Sequence, residues 1–439
     1  MEWTSLSLKE KLQLSGACLF LVTMPYSREI NQVCMVLFLL TCAIGWNKEI
    51  WVQNRKTILI FISIYLVAIF SGLYDPNKLE AYKKLELQST LLLVPLLLGA
   101  SYRPTAFKTD VIKIAFITGV CSALAYLIVH FVFHMRAQHL PVSAWLRKEY
   151  LNHHYSDPIG IHAGFFSVYV SLCLLALTLY LMKARRFLLK TVLTLLIILC
   201  LVSLFLLTSR SVLIMTFLCL AGMTPAVFKR LKWYFGVPAG IAICAILYFF
   251  VTKSVYFEQR FTGELNQDIK LKELTRAVED HQSPEKQDIL KNDGARIERW
   301  VASWQLIKAR PLLGYGTGEE KPELFRKYKE MGLTVSLDEH YDSHNQFLSF
   351  TIKSGALGLI AFVGMLIYSW VQAIKRKSFL YISFLLLVTG TCLIDTMLEV
   401  NKGIFFFAFF NIFFYLSVTP RPGSRGTGAH QPAMLKALP

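Results

Sequence analysis

The chain has 439 residues, 54% of them hydrophobic, and a mean hydropathy of +0.47. These values, with apolar residues gathered in long runs, exclude an ordinary soluble globular protein and favour a membrane protein. The formal net charge is +17, but the basic residues lie mostly in short loops between apolar runs. We therefore interpret the charge as a sign of membrane topology and of attraction to anionic membrane lipids, and we do not predict nucleic-acid binding.

Twelve apolar segments predict transmembrane helices, although the first and fourth are short for a bilayer. They are Leu12–Met24, Ile30–Trp46, Thr57–Leu73, Leu87–Ala100, Val111–Phe133, Gly160–Met182, Leu188–Leu207, Ser211–Phe228, Trp233–Val251, Gln346–Val371, Phe379–Ile394 and Gly403–Val418. Acidic residues before the first segment and the lack of a small-residue cleavage site argue against a cleaved signal peptide.

Basic residues recur in alternate short loops, which twelve crossings place on one side. They are Lys48, Arg55, Lys56, Arg103, Lys108, Lys183, Arg185, Arg186, Lys190, Lys229, Arg230, Lys232, Lys375, Arg376 and Lys377. Because such loops stay in the cytoplasm, both termini are predicted to be cytoplasmic. The chain then divides into nine transmembrane helices (1–251), a large external loop (252–343), three more helices (344–418) and a disordered cytoplasmic tail (419–439).

The external loop is predicted to be mostly helical. It holds 15 Lys and Arg against 17 Asp and Glu, so it is nearly neutral. Its clearest helix is predicted by apolar residues at helical spacing: Ile297, Trp300, Val301, Trp304 and Ile307. Pro311 and the glycines that follow it are predicted to end this helix.

No cofactor or metal is predicted. All nine cysteines lie in apolar segments, which is typical of small core residues rather than of disulfides or metal ligands. His340 and His344 are four apart, but the string lacks the glutamate of a zinc-protease helix. The sequence contains neither a phosphate-binding P-loop nor a dinucleotide fingerprint nor a nucleophile elbow.

Three basic positions beside the external face could carry chemistry. Arg210 lies in a tight turn between two apolar runs, where it can either bind lipid phosphate or serve as a phosphate ligand in a site. Arg296 and Arg299 share a predicted helix with Glu298, so they are either an exposed, locally paired face or a diphosphate site.

His344 opens a membrane helix at the end of the external loop, after an acidic run. A histidine there can titrate near neutral pH and take a proton from a sugar hydroxyl, although it could also be an interface residue at a helix start.

These elements together resemble the bacterial O-antigen ligase family, within a superfamily that includes O-antigen polymerases and protein O-oligosaccharyltransferases. The resemblance rests on Ser209-Arg210, on Arg296-x-x-x-Trp300, on Pro311 to Gly318, and on His344-Asn345 with Gly355 and Gly358 beyond. It covers most of residues 85–418. Each motif is short, and their order within a twelve-helix topology is the more specific signal.

The resemblance implies a membrane glycosyltransferase in the bacterial inner membrane, with its site on the periplasmic side. Such enzymes move a polysaccharide from undecaprenyl diphosphate to a lipid A-core hydroxyl, without metal or ATP. It also implies roles for individual residues. Arg210 and Arg296 would hold the diphosphate, with Arg299 as a further candidate, and His344 would act on the acceptor hydroxyl with inversion at the sugar. Asn345 and Gln346 would orient His344, and Tyr341 would contact the sugar.

Three alternatives stay open at the level of sequence. A polymerase and a protein O-oligosaccharyltransferase would use the same donor with another acceptor. A twelve-helix secondary transporter belongs to a different class, and the lack of repeat symmetry and the one-sided placement of the polar groups argue against it.

Overall fold

The computed structural model describes residues 3–141, 145, 147, 150–228 and 296–418, which form helices and connecting turns without a strand. The helices are α1 (Leu8–Thr23), α2 (Arg28–Ile44), α3 (Lys48–Leu73), α4 (Lys78–Gln88), α5 (Thr90–Ser101), α6 (Ala106–Ala137), α7 (His153–Ser156), α8 (Ala163–Lys183), α9 (Phe187–Leu207), α10 (Arg210–Phe228), α11 (Arg296–Ala309), α12 (Glu320–Met331), α13 (Thr334–Asp338), α14 (Gln346–Lys375), α15 (Phe379–Ile394) and α16 (Asn401–Val418). Short 3₁₀ turns occupy Asp157–Ile159 and Met397–Glu399.

Six of the described helices (α3, α6, α8, α9, α14 and α16) are long and apolar enough to cross a membrane. Helix α15 and the Arg210–Met223 part of α10 are apolar but shorter. The predicted segment Trp233–Val251, the 252–295 part of the external loop and the tail 419–439 lie outside the described residues. The structure is thus that of a polytopic membrane protein, and the number of twelve crossings stays a prediction.

The fourth predicted membrane segment differs most from its prediction. Residues 78–88 form a separate helix, α4, and the apolar stretch after it forms α5, with only 12 residues and Pro95 inside it. At 1.5 Å per residue, a helix of this length spans about 18 Å, less than the hydrocarbon core. Helix α5 packs against α2, α3 and α16, so it is in part an internal helix of the bundle and in part a membrane-spanning one.

The centre of the bundle is aromatic. Nearly every side chain of α16 is buried, and this helix packs against α5, α14 and α15. Phe410 lies 4.8 Å from the Phe116 ring of α6, and Tyr169 of α8 stacks on Phe406 at 4.5 Å. Rings at such distances contribute stability beyond the area they bury. Helix α16 therefore lies at the centre of the described bundle and joins the helices around it.

Helices α11 to α13 form a second, smaller core at one end of the bundle. Leu306, Leu324, Tyr328 and Leu333 are buried there against Ile352 of α14. The predicted apolar face of α11 was wrong in one respect, because Trp304 is 53% exposed. The buried face is shifted and includes the charged side chains of Glu298 and Arg299.

Helix α14 is broken at Gly355, whose backbone has φ +60° and ψ −151°. The turn that follows α11 inserts into this break. Tyr315 N donates to Ile352 O and Gly316 N to Lys353 O, both at 2.9 Å, and Ala356 N donates to Pro311 O at 2.8 Å. The turn thus replaces hydrogen bonds that the break removes from the helix. This contact explains the string Pro311 to Gly318 and its relation to Gly355.

Candidate functional site

His344 lies between two carboxylates at the start of α14. Its Nδ1 is 3.5 Å from Asp395 Oδ1, and its Nε2 is 3.7 Å from Asp342 Oδ1. The backbone of His344 is left-handed, with φ +43°, a conformation that a residue with a side chain adopts at some cost. The strained backbone and the flanking charges are typical of a functional position rather than of an ordinary helix start.

Both aspartates are themselves held in place. Asp342 accepts from His344 N at 2.9 Å and from Thr396 Oγ1 at 2.7 Å. Asp395 follows α15 and accepts from Thr396 N at 2.8 Å. Burial alone would raise the pKa of Asp395, but hydrogen bonding with His344 and the charge of His162 outweigh it, so the pKa lies below its ordinary value. Asp395 is therefore ionised beside the imidazole.

Arg299 connects to His344 through Tyr341. Its guanidinium carbon lies 4.6 Å from the centre of the Tyr341 ring, and that ring meets the His344 ring edge-on at 5.5 Å. Arg299 is only 5% exposed, and no described residue accepts a hydrogen bond from its Nε. No described residue forms a salt bridge with Arg299, although the charge of Asp342 acts on it. A buried guanidinium without an ion pair is costly, which indicates a place for an anion.

Arg296 lies one helical turn before Arg299 on the same helix, and its Nε also has no acceptor among the described residues. Burial lowers the pKa of Arg299, and the positive charge of Arg296 lowers it further. The two guanidinium groups therefore repel each other, and an anion shared between them would relieve that repulsion.

The two polar residues after His344 are used within the protein. Asn345 Oδ1 caps α14 by accepting from the amides of Phe347 and Leu348, and its Nδ2 donates to Leu393 O at 3.0 Å. Gln346 is fully buried, where its Oε1 accepts from Leu398 N at 2.7 Å. Both side chains thus fix the start of α14 and the position of His344.

A buried network of charges lies beneath the site. Glu399 pairs with Lys353 and, at 3.2 Å, with Lys84, and it accepts from Gln346 Nε2 at 3.3 Å. Glu320 lies 4.0 Å from Lys353 and accepts from Ser343 Oγ at 2.7 Å. The network joins α4, α12 and α14 to the 397–399 turn directly below His344.

Carboxylates of this region were not singled out in the sequence. Asp395 and Glu399 lie beside a membrane helix end, yet their side chains are only 17% and 6% exposed. Burial by itself would raise the pKa of Glu399, yet Lys353 and Lys84 hold it below its ordinary value. Glu320 was not singled out, because its partner is distant in sequence. The sequence did contain one signal of a buried charged partner, because Lys353 is a lysine at the eighth position of an apolar helix.

Arg210 lies at the same end of the bundle. A methyl group on Gly390 would touch Met215, and one on Gly222 would lie 3.9 Å from Phe379, so α10 and α15 run antiparallel. Extending that register by five residues from Met215 brings Arg210 level with Asp395. Between α10 and α8 the hydrogen bond from Thr216 Oγ1 to Ser171 Oγ, 2.6 Å long, shows direct packing.

The described residues contain one group that could ligate a metal ion, and it lies away from the site. The sulfur atoms of Cys121, Cys173 and Cys200 are within 4.8 Å of one another in the interior of α6, α8 and α9. At the site itself, the arrangement offers a base between two carboxylates and guanidinium groups for an anion. Such a set supports transfer of a group that leaves as a phosphate.

The fold and the site define a polytopic helical membrane protein with a histidine and arginine site at one end of its bundle. A family model described as O-antigen ligase matches residues 195–363, a range that includes Arg210, Arg296, Arg299 and His344. The match is consistent with the O-antigen ligase family over that part of the chain, and it confirms the resemblance seen in the motifs. Members of this family are membrane enzymes that transfer glycosyl groups. No curated protein matches the chain.

Proposed function

We propose that the protein is an O-antigen ligase, which transfers a polysaccharide from undecaprenyl diphosphate to a hydroxyl of the lipid A core. The observation that carries this proposal is the buried Arg299, without an acceptor for its Nε among the described residues, one aromatic ring away from His344. It supports a site where a phosphate anion and a proton acceptor are held side by side. The family match supports glycosyl transfer as the reaction.

In the proposed reaction, His344 takes the proton of the acceptor hydroxyl as the oxygen attacks the anomeric carbon. The bond from that carbon to the diphosphate breaks, and its electron pair stays on the phosphate oxygen. Asp342 and Asp395 stabilise the imidazolium that forms, while Arg299, Arg296 and Arg210 stabilise the developing charge of the leaving group. Attack from the face opposite the diphosphate inverts the anomeric carbon. The mechanism needs no metal and no ATP.

The proposed location follows from the same reasoning. Lipid-linked donor and lipid A-core acceptor meet in the outer leaflet of the bacterial inner membrane. The site end of the bundle would then be periplasmic, and both termini would be cytoplasmic, as the basic loops predict.

The test is the lipopolysaccharide ladder of a deletion strain that carries either wild-type protein or His344→Ala. We expect long glycan on lipid A with the wild type and none with the variant, although membrane levels of the two are equal. Arg296→Ala and Arg210→Ala should also lose the ladder.

Other outcomes distinguish the alternatives. A ladder that persists without the protein would refute ligation to lipid A. A collapse to single-repeat glycan would indicate a polymerase instead, and loss of glycan from a protein would indicate an oligosaccharyltransferase. Full activity of His344→Ala would refute its role as the base.

A further inference from the structure

Helix α6 is longer than a bilayer requires. Its 32 residues span about 48 Å at 1.5 Å per residue, against a hydrocarbon core of about 30 Å. The excess of about twelve residues is shared between the two ends, because Lys108, Asp110 and Lys113 lie in the first turns of the helix. Lys108 pairs with Glu10 at the end of the bundle opposite the site, so the C-terminal end of α6 lies at the site end.

The C-terminal half of α6 carries a row of rings on one face, which we call the α6 ladder: Tyr126, His130 and His134, followed by Tyr150. The ring centres are 6.0 Å, 6.2 Å and 6.2 Å apart in that order. Tyr126 is 48% exposed, and both histidines are exposed. Gln138 holds the outer end, because it contacts His134 Nε2 at 3.1 Å and accepts from Tyr150 OH at 3.2 Å.

The inner end of the ladder opens into a cavity of about 620 Å³. The cavity is lined by Tyr26, Ser27, Arg28, Glu29, Tyr126, Asp157, Pro158, Ile159 and Gly160. Tyr126 belongs to both features, so ladder and cavity form one continuous surface. Tyr26 is fixed by a hydrogen bond from its hydroxyl to Ser122 Oγ at 2.8 Å.

The wall of the cavity adjoins the start of α8, which lies beside Asp395. That wall ends at Gly160, two residues before His162. A methyl group built on Gly164 would lie 3.2 Å from His162 Nδ1 and 4.0 Å from Asp395 Oδ2, so both groups flank the start of α8. Asp395 in turn contacts His344 Nδ1. Arg299 is connected to His344 by other contacts: its guanidinium lies over the Tyr341 ring, and that ring meets the His344 ring edge-on.

We infer that the cavity and the α6 ladder bind the sugar residues of the acceptor, the core oligosaccharide of lipid A. This inference rests on the proposed function. Aromatic rings offer flat apolar faces to sugar rings, while imidazoles, carboxylates and a guanidinium offer hydrogen bonds to hydroxyls. Two acidic side chains against one arginine, namely Glu29 and Asp157 against Arg28, disfavour a lipid phosphate in the cavity.

The acceptor, rather than the donor glycan, fits this position for a chemical reason. The base must meet the acceptor hydroxyl, whereas the diphosphate of the donor belongs with the buried arginines. A binding surface that ends beside Asp395, which contacts His344 Nδ1, suits the molecule that gives up a proton.

The experiment is direct binding of deacylated lipid A-core oligosaccharide to the purified full-length protein in detergent, by calorimetry. Tyr126→Ala and His130→Ala should each weaken binding about five- to tenfold, while Tyr126→Phe, which keeps the ring, should bind as the wild type does. Tyr82→Ala removes a more exposed ring from α4, outside the α6 ladder, and should change nothing. Free O-antigen polysaccharide serves as the second probe.

Wild-type affinity in both alanine variants would overturn the inference, as would a wild-type protein that binds no core oligosaccharide. Selective loss of polysaccharide binding would overturn the assignment to the acceptor. If the α6 ladder merely anchors the helix, its alanine variants will unfold at a lower temperature but keep wild-type affinity. Thermal unfolding of each variant therefore distinguishes lost binding from lost anchoring. Failure of the proposed function is seen separately, as a wild-type protein that transfers no glycan.

Discussion

Replacement of Gly355 by alanine tests whether the turn inserted into α14 holds the site together. Gly355 has φ +60° and ψ −151°, a region that is accessible in practice to glycine alone. An added methyl group would collide with the backbone of Leu312, which lies directly against Gly355. The variant must therefore change its backbone, displace the turn, or do both.

The expected cost follows from two contributions. Forcing alanine into this backbone region costs about 1–3 kcal/mol. Displacing the turn loses the three backbone hydrogen bonds across the break, each worth about 1 kcal/mol net. Since either response relieves part of the other, the total is about 3–5 kcal/mol. With an unfolding entropy of about 2.1 cal/mol/K per residue, the melting temperature of this chain should fall by about 3–5 °C.

The assay is thermal unfolding of the purified protein in detergent, together with the lipopolysaccharide ladder in cells. Gly364→Ala is the matched control, because it lies in the same helix with open space around its Cβ position. That exchange should be neutral or should stabilise the protein by up to about 1 kcal/mol. Gly355→Ala should also weaken the lipopolysaccharide ladder, because His344 lies at the start of the first half of α14.

An unchanged melting temperature in Gly355→Ala would refute this reasoning, since it would mean that the break is tolerant and the turn is held by other contacts. If the melting temperature falls but the lipopolysaccharide ladder stays complete, the turn stabilises the protein without positioning His344.

Two further predictions concern charges. Arg299→Ala should lower glycan transfer about 100-fold or more, as loss of a group that stabilises a developing anion does, while Arg326→Ala, which removes an exposed arginine paired with Glu323, should leave transfer unchanged in the same assay. Glu399→Gln leaves Lys353 buried without its closest partner and should destabilise the protein by about 3–5 kcal/mol at neutral pH. Because the pKa of Glu399 is lowered from 4.5 to about 2, this contribution is complete above pH 4.5 and is lost progressively as the pH falls from there through the folded value. The melting temperatures of wild type and variant should therefore converge in acid, and a gap as large at pH 2 as at pH 7 would contradict this.

The membrane helices could be predicted from the sequence because they depend on local composition. Apolar runs mark α3, α6, α8, α9, α14 and α16, and the turn at Thr208 could be placed between α9 and the shorter apolar helix α10. The limits of α5 could not, because its length and its internal Pro95 are tolerated through packing against α2, α3 and α16.

The site could be predicted in part. His344 and the arginines of the candidate site stand out because their order along the chain matches the family's motifs, although each of them also has a structural interpretation. Their partners do not stand out, since Asp395 follows His344 by 51 positions and meets it only after α14 and α15 have packed. The burial of Arg299 was likewise not visible, because helical periodicity predicted a face shifted towards Trp304.

The buried charge network bears on the order in which the protein is made. Lys353 precedes its partner Glu399 by 46 residues, whereas Glu320 and Lys84 are synthesised before it. At about 5–20 residues per second, Lys353 leaves the ribosome about 2–9 s before Glu399 does. During that interval Glu320 is the acid already available to neutralise it as α14 enters the membrane. Glu320, which lies farther from Lys353 than Glu399 does in the folded protein, is thus the first carboxylate that can pair with Lys353 during synthesis.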